Sequence, residues 1–300
     1  MEKSKSKFFI AGIVPYIIWG TMSIPLRNLK GFPPQEILYY RIFASIIVVW
    51  VSILLFRKDN LQKDYVHFKA LPSGKKTKIL VLTILSAILI TGNWFTYIYA
   101  VNSVSLKAAA FAYMVCPLIT ALCGFVLLKE QLTKVKIIAL AIALISIILL
   151  ATGSLNEVLW AILIASFYAI YIILLKVIKD VDKFNLLGIQ LVLSGGIILP
   201  FYLISSGPFP AVTSFWLHIF LIAVVFTIIP LFLNAYALVG MPSSALGILI
   251  YLNPIVAFAV AFFYFKENID IHQLFAYLLL LLSIVIFNAH LLKGMMAKKV

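Results

Sequence analysis

The chain has 300 residues, of which 64% are hydrophobic and 11% charged, with a mean hydropathy of +1.13 and a net charge of +14. Water-soluble domains carry roughly 25% charged residues, so this composition excludes a soluble protein and makes the lipid bilayer the solvent. The positive charge invites a nucleic-acid partner, and its placement along the chain removes that reading.

A membrane span needs about 20 mainly apolar residues. Ten segments qualify in chain order: 8–27, 35–56, 78–101, 105–128, 133–152, 155–176, 184–205, 214–238, 242–265 and 271–291. The first is as long as a span and lacks a small-residue cleavage site after it, so it reads as a first helix and not a signal peptide. The second and third are joined by a long polar loop at 57–77. With the N-terminus inside, 19 basic residues fall on the cytoplasmic side, seven of them between Arg57 and Lys78. The opposite side receives Arg27, Lys30, Lys107 and Lys266. This is the positive-inside asymmetry of membrane proteins. It accounts for the charge without nucleic acid and places both termini in the cytoplasm.

The chain contains one unit twice. Asn93 to Ala151 can be laid without a gap on Pro230 to Asn288, an offset of 137. Phe95 then meets Phe232, Tyr99 meets Tyr236, Pro117 meets Pro254, Lys129-Glu130 meet Lys266-Glu267, and Ser146 meets Ser283. A weaker match at offset 149 pairs Trp19 with Tyr168, Arg27 with Lys176 and Arg41 with Gln190; the difference of 12 is absorbed by the 57–77 loop. The expected domains are therefore residues 1–153, residues 154–292 and a basic tail, 293–300. Five spans per half is an odd number, so the second half enters the membrane with opposite orientation. Such inverted apolar repeats are typical of secondary transporters, whose sites form where the halves meet.

Several motifs carry a family resemblance. Pro15-Tyr16-Ile17-Ile18-Trp19-Gly20, Glu36-Ile37-Leu38 followed by Arg41, Gly92-Asn93-Trp94 with Ala100-Val101-Asn102, and Pro117-Leu118 resemble the RarD-like branch of the EamA group of drug/metabolite transporters. The Leu128-Lys129-Glu130 and Phe265-Lys266-Glu267 helix ends resemble that superfamily's Gly/Lys-Glu signature. The resemblance spans essentially the whole chain. It implies an all-α, ten-helix permease of two EamA repeats in the plasma (inner) membrane, moving small organic metabolites or drugs, most often outward. It also implies a cavity lined by spans 1, 3, 4, 6, 8 and 9. Spans 5 and 10 are then peripheral, and their nearly polar-free sequences suit lipid or a second copy in a homodimer. After Asn102 the chain reads Ser103-Val104-Ser105-Leu106-Lys107, where relatives tend to be more polar, so no substrate preference is carried over.

The candidate binding residues are those that lipid penalises. Arg41 lies six residues into its span, about 9 Å along the axis; either it binds substrate or it snorkels outward beside Glu36. Gln190 is its counterpart. Asn93 and Tyr97, four apart on one face, either orient a polar substrate or tie two helices together. Trp19, Tyr113, Tyr168 and Tyr251 fall near the middle of their spans instead of in the interfacial belts; they suit a cavity for an apolar or aromatic substrate, or plain packing. Glu36 and Glu157 stand at outer helix starts, while Glu130 and Glu267 close helices as caps or loop-bonding groups. The repeat mates Pro117 and Pro254 are candidate hinges or simple packing kinks.

Other chemistry finds little support. Cys116 and Cys123 lie about 10 Å apart along one helix and cannot bridge each other. The four histidines have no metal-ligand spacing and no Gly-rich phosphate loop is present, so no metal or cofactor is expected. A lipid-modifying enzyme would have to use the Lys266, Glu267, Asp270, His272 cluster. A passive channel is the remaining alternative to a carrier of a small-molecule substrate.

Overall fold

The computed structural model describes residues 2–29, 31–100, 106–150, 155–179, 181–205, 207–264, 266 and 271–289. It is helical with no strand among the described residues. The helices are α1 (Glu2–Gly20), α2 (Ser23–Arg27), α3 (Pro34–Phe56), α4 (Lys58–Ala70), α5 (Ser73–Tyr99), α6 (Leu106–Leu128) and α7 (Lys134–Leu150). They continue as α8 (Leu155–Val177), α9 (Lys183–Ser205), α10 (Thr213–Ala223), a π-helical turn (Val224–Ile228), α11 (Ile229–Gly240), α12 (Ser243–Leu249), α13 (Leu252–Phe263) and α14 (Ile271–Phe287). Among the described residues six stretches are long and apolar enough to cross a membrane: Ser6–Leu26, Gln35–Phe56, Ser73–Tyr97, Val158–Val177, Lys183–Ser205 and Thr213–Gly240. Shorter apolar helices lie at Ala112–Leu128, Ser243–Ala257 and Leu274–Phe287.

The expected 57–77 loop is corrected in one respect. Most of it is the helix α4, whose residues include none that is fully buried. The basic tail, Lys30, residues 101–105, Glu267 and Asp270 lie outside the described residues.

Proline explains most of the irregular backbone. A proline has no N–H for the carbonyl four residues earlier. Pro25 deprives Thr21, where the first apolar segment breaks between α1 and α2; Pro254 deprives Ile250, where α12 gives way to α13. Pro230 deprives Phe226, inside the π-helical turn. That carbonyl accepts instead from the Trp19 indole N–H at 2.8 Å. Thr227 Oγ1 donates to Ile222 O at 3.0 Å within the same turn. Pro15, Pro117 and Pro200 sit inside unbroken helices.

The packing pairs are α1 with α11 and α13, α8 with α5 and α6, α3 with α9 and α10, α5 with α9, α6 with α12, and α7 with α14. Close approach is possible where glycine faces a neighbour: a Cβ on Gly20 would stand 2.5 Å from Val256 Cβ, and one on Gly247 2.6 Å from Thr120 Cγ2. Ser146 Oγ donates to Ala276 O at 2.7 Å and ties α7 to α14. The other faces of these two helices, with Leu144, Ile145, Ile148, Phe275 and Leu278, are exposed. A largely apolar core surrounds the buried tyrosines Tyr16, Tyr168, Tyr171 and Tyr251.

Candidate functional site

A row of aromatic rings runs through the bundle and ends at Arg41. From Tyr97 on α5 the ring centroids step 5.5 Å to Tyr113 on α6, 6.5 Å to Tyr168 on α8, 6.0 Å to Trp19 on α1 and 5.7 Å to Tyr16. The Arg41 guanidinium stands 5.0 Å from the centroid of the Trp94 ring and lies near Tyr113 and Tyr97. At the far end, Asn234 Nδ2 donates to the Tyr168 hydroxyl at 2.8 Å, and Tyr16 lies alongside both. Cys116 lies near Tyr16, Tyr113, Tyr168 and Tyr251.

Of the residues singled out in the sequence, Trp19, Arg41, Tyr97, Tyr113 and Tyr168 are brought together, with Tyr251 near them across Cys116. Asn93 and Gln190 are placed elsewhere. Asn93 Nδ2 donates to Ile164 O at 3.0 Å and joins α5 to α8. Gln190 Nε2 donates to Ser86 Oγ at 2.6 Å and joins α9 to α5, one turn from the Thr91–Ser194 hydroxyl pair. Pro117 follows Cys116 directly, and Pro254 lies in the first turn of α13, three residues after Tyr251. Tyr16 and Trp94, named above only within the family motifs, Cys116, considered only for a disulfide, and Asn234 join the site without having been expected there. Two signals point to them: Tyr16 shares a helical face with Trp19, and Asn234 is the offset-137 counterpart of Tyr97.

Four polar atoms of this cluster are buried without a hydrogen-bond partner in the protein: Arg41 Nε, Tyr16 Oη, Asn234 Oδ1 and Tyr251 Oη. Each such atom costs about 1–3 kcal/mol, a penalty that binding of a polar ligand removes. Trp19, Arg41, Trp94, Tyr97 and Tyr113 retain partial exposure, while Tyr16, Tyr168, Asn234 and Tyr251 are buried. The residues around Arg41 thus keep partial exposure, as Trp19 does, among tyrosines that are buried.

A second constellation joins the two halves at the other face. Lys129 and Lys266 are the non-glycine residues with positive φ among those described, at 53° and 57°, and they are repeat mates. The left-handed turn at Lys129 ends α6 and lets the Glu130 N–H return to Gly124 O at 3.1 Å. The Glu130 carboxylate is thereby aimed at the start of α12. Oε1 accepts from Ser243 N at 2.8 Å and Ser243 Oγ at 2.7 Å, and Oε2 accepts from Ser244 N at 3.0 Å. Burial pushes this carboxyl's pKa up, but the hydrogen bonds from Ser244 and Ser243 outweigh it and hold it below the usual range. Gly124 leaves room for the contact, since a Cβ there would stand 2.9 Å from both Glu130 Oε2 and Ser243 Oγ. On the same face Lys176 Nζ donates to Leu238 O at 2.6 Å and Met241 O at 2.7 Å, tying α8 to the end of α11.

Beside Lys176 lies a cleft of about 720 Å³ lined by residues including Lys63, Asp64, Lys179 and Asp182, with α4 as one wall. Its carboxylates are structural. Asp182 pairs with Arg57 at 2.7 Å and accepts from the first N–H groups of α9, at Phe184 and Asn185. Asp64 accepts from Asp182 N and from Asn185 Nδ2 at 2.7 Å. This cleft is separate from the ring row. The cluster considered for an enzyme falls partly on Glu267 and Asp270, outside the described residues, and no metal-binding group of His, Cys, Asp or Glu occurs among those described.

Comparison with known proteins gives concordant matches. The EamA-like transporter family model matches twice, over residues 7–152 and 155–289. The chain is 30% identical over 309 aligned positions to the uncharacterized transporter YojE of Bacillus subtilis, covering 99% of this chain and 98% of YojE. It is 26% identical to the protein RarD of Escherichia coli, covering 93% and 94%. A solved crystal structure shares the fold with a TM-score of 0.76 at 16% identity, covering 93% of this chain and 96% of its own.

Proposed function

The chain belongs to the EamA-like transporter family and is a multi-pass membrane transporter related to RarD, and on that premise we propose that it is a ten-span, inverted-repeat secondary carrier. It resides in the plasma (inner) membrane with both termini cytoplasmic and moves a small organic metabolite or drug, most often outward, by alternating access. The observation that carries this reading is the ring row with Arg41, built from spans 1, 2, 3, 4, 6 and 8 at the junction of the halves. A set of unpaired buried polar atoms among rings suits a site that binds and releases a ligand.

The packing supports the inverted repeat. Exchange the halves and α5 on α8 becomes α11 on α1; α6 on α8 becomes α13 on α1; α5 on α9 becomes α10 on α3. The pairs α3–α9, α6–α12 and α7–α14 map onto themselves. A two-fold relation between halves produces this pattern. The exposed apolar faces of α7 and α14 fit a peripheral position in lipid.

With this orientation Glu130 and Lys176 lie at the cytoplasmic face, where their bonds to α12 and α11 close the bundle. The partly exposed Arg41 end then faces outward. Pro117 and Pro254 lie beside the cavity and serve as hinges in this reading. A transport assay distinguishes it from its alternatives: a carrier saturates with substrate, a channel does not, and a lipid-modifying enzyme yields product. The orientation itself is tested by sided labelling of single cysteines. Positions Lys3, Gly74 and Lys299 are expected to react only from the cytoplasm, and Gly207 only from outside. External labelling at Gly74 would overturn the orientation, because the most basic connection sets it.

A further inference from the structure

We propose that Arg41 and the ring row bind organic anions with a planar, unsaturated body, the anionic group at Arg41 and the body against the rings. The proposal rests on the carrier reading and names the substrate class of that same site.

Charge balance comes first. Arg57 has its carboxylate, Asp182, at 2.7 Å. Arg41 has no such carboxylate partner among the described residues. The acid one turn away on its own helix, Glu36, is buried and gives Oε1 to the Gly207 N–H at 2.9 Å. A guanidinium is always charged, so burying it without an anion is costly and an incoming anion supplies the missing charge. Its position 5.0 Å from the Trp94 ring centroid holds the cation against an aromatic face. The planar fork of donors suits two oxygens of a carboxylate or sulfonate.

The body follows from the rings. Between Tyr97 and Tyr16 successive planes are tilted by 55°, 75°, 76° and 59°, so edges and faces alternate along the row. A planar π-system can meet such a lining edge-to-face at several steps. At the inner end the polar groups of Tyr16, Tyr168 and Asn234 lie together and can receive a polar group on the far side of the ligand. A planar cation has the same body but meets the Arg41 charge, and a small anion has the charge but no body.

The test uses the purified full chain in proteoliposomes and three probes. Naphthalene-2-sulfonate is a permanent planar anion, N-methylquinolinium a planar cation of similar size, and methanesulfonate the anion without the rings. Saturable uptake of the naphthalenesulfonate is expected, with the other two at least about tenfold weaker, the size of one charge-assisted hydrogen bond. Arg41→Gln lowers naphthalenesulfonate binding about tenfold to a hundredfold, and Arg41→Lys retains more than Arg41→Gln. The wild-type probe order needs no variant to fold. Saturable uptake of the quinolinium, abolished by Trp19→Leu and indifferent to Arg41→Gln, overturns the anion assignment and leaves the carrier reading standing. Uptake that rises linearly with probe concentration overturns the carrier reading itself. Saturable uptake of none of the three overturns the proposed class.

Discussion

Replacing Glu130 by Gln is expected to speed the reaction of Cys116 with an impermeant thiol reagent on the cytoplasmic side by at least about tenfold, in a Cys123→Ser background. One carboxylate takes three hydrogen bonds from Ser243 and Ser244 and bridges α6 of the first half to α12 of the second. Charge-assisted bonds contribute about 1.5–3 kcal/mol each, so loss of the charge alone shifts a two-state equilibrium by an order of magnitude or more. Cys116 is a native reporter: it is buried in the middle of the bundle, between α6 and Ala165 O of α8. Gly124→Ala should act in the same direction by pushing Glu130 from its seat. The pH dependence has a defined sign. A carboxyl with a lowered folded pKa contributes stability that is present above its ordinary pKa and lost as pH falls through the lowered value. The latch is therefore intact at neutral pH and weakens only in acid, so wild type and Glu130→Gln differ most near pH 7. Equal labelling rates in the two proteins at pH 7 would remove Glu130 from any gating role.

A pH gradient across proteoliposomes, with no substrate gradient, is expected to produce no uphill accumulation. A one-to-one proton symporter would concentrate substrate about tenfold per pH unit, since each unit is worth 1.36 kcal/mol; facilitated or exchange transport leaves the ratio at one. Proton coupling usually employs a desolvated acid or histidine that exchanges protons as access alternates. Among the described residues no Asp, Glu or His belongs to the ring row. Glu36 is the nearest acid to Arg41 in the chain, and its carboxylate is engaged by the Gly207 backbone. Accumulation that disappears in Glu36→Gln would contradict this account and make Glu36 and Arg41 the coupling pair.

The sequence carried the outline of the fold because lipid permits few solutions. Apolar runs mark the helices, and the positive-inside asymmetry carries the proposed orientation. The pairing of Lys129 with Lys266 at offset 137 is visible in the sequence, and both adopt the left-handed turn. Helix α4 was hidden because its polar residues read as loop, and its role depends on Asp64 meeting Asp182 and Asn185, over a hundred positions away. Proline positions were legible but their consequences were not: Pro254 and Pro25 accompany breaks, while Pro117 leaves α6 continuous. In the site, mid-span aromatics and Arg41 stood out since lipid offers them nothing. Asn93 and Gln190 stood out equally, yet they bond Ile164 O and Ser86 between helices. A buried amide has the same cost whether it serves a ligand or a neighbouring helix, and only the group opposite decides between them. Asn234 was missed because its importance lies in that opposite group, the Tyr168 hydroxyl.

In the proposed carrier the ring row is open to one side of the membrane at a time. This is tested most directly by a single cysteine at Tyr113, in a Cys116→Ser, Cys123→Ser background, labelled separately from each face of the membrane. Labelling from outside is expected while the Glu130 latch holds. Glu130→Gln should move that reactivity to the cytoplasmic face with a matching loss outside. Undiminished labelling from both faces at once, or labelling from the cytoplasm alone with the latch intact, would contradict it.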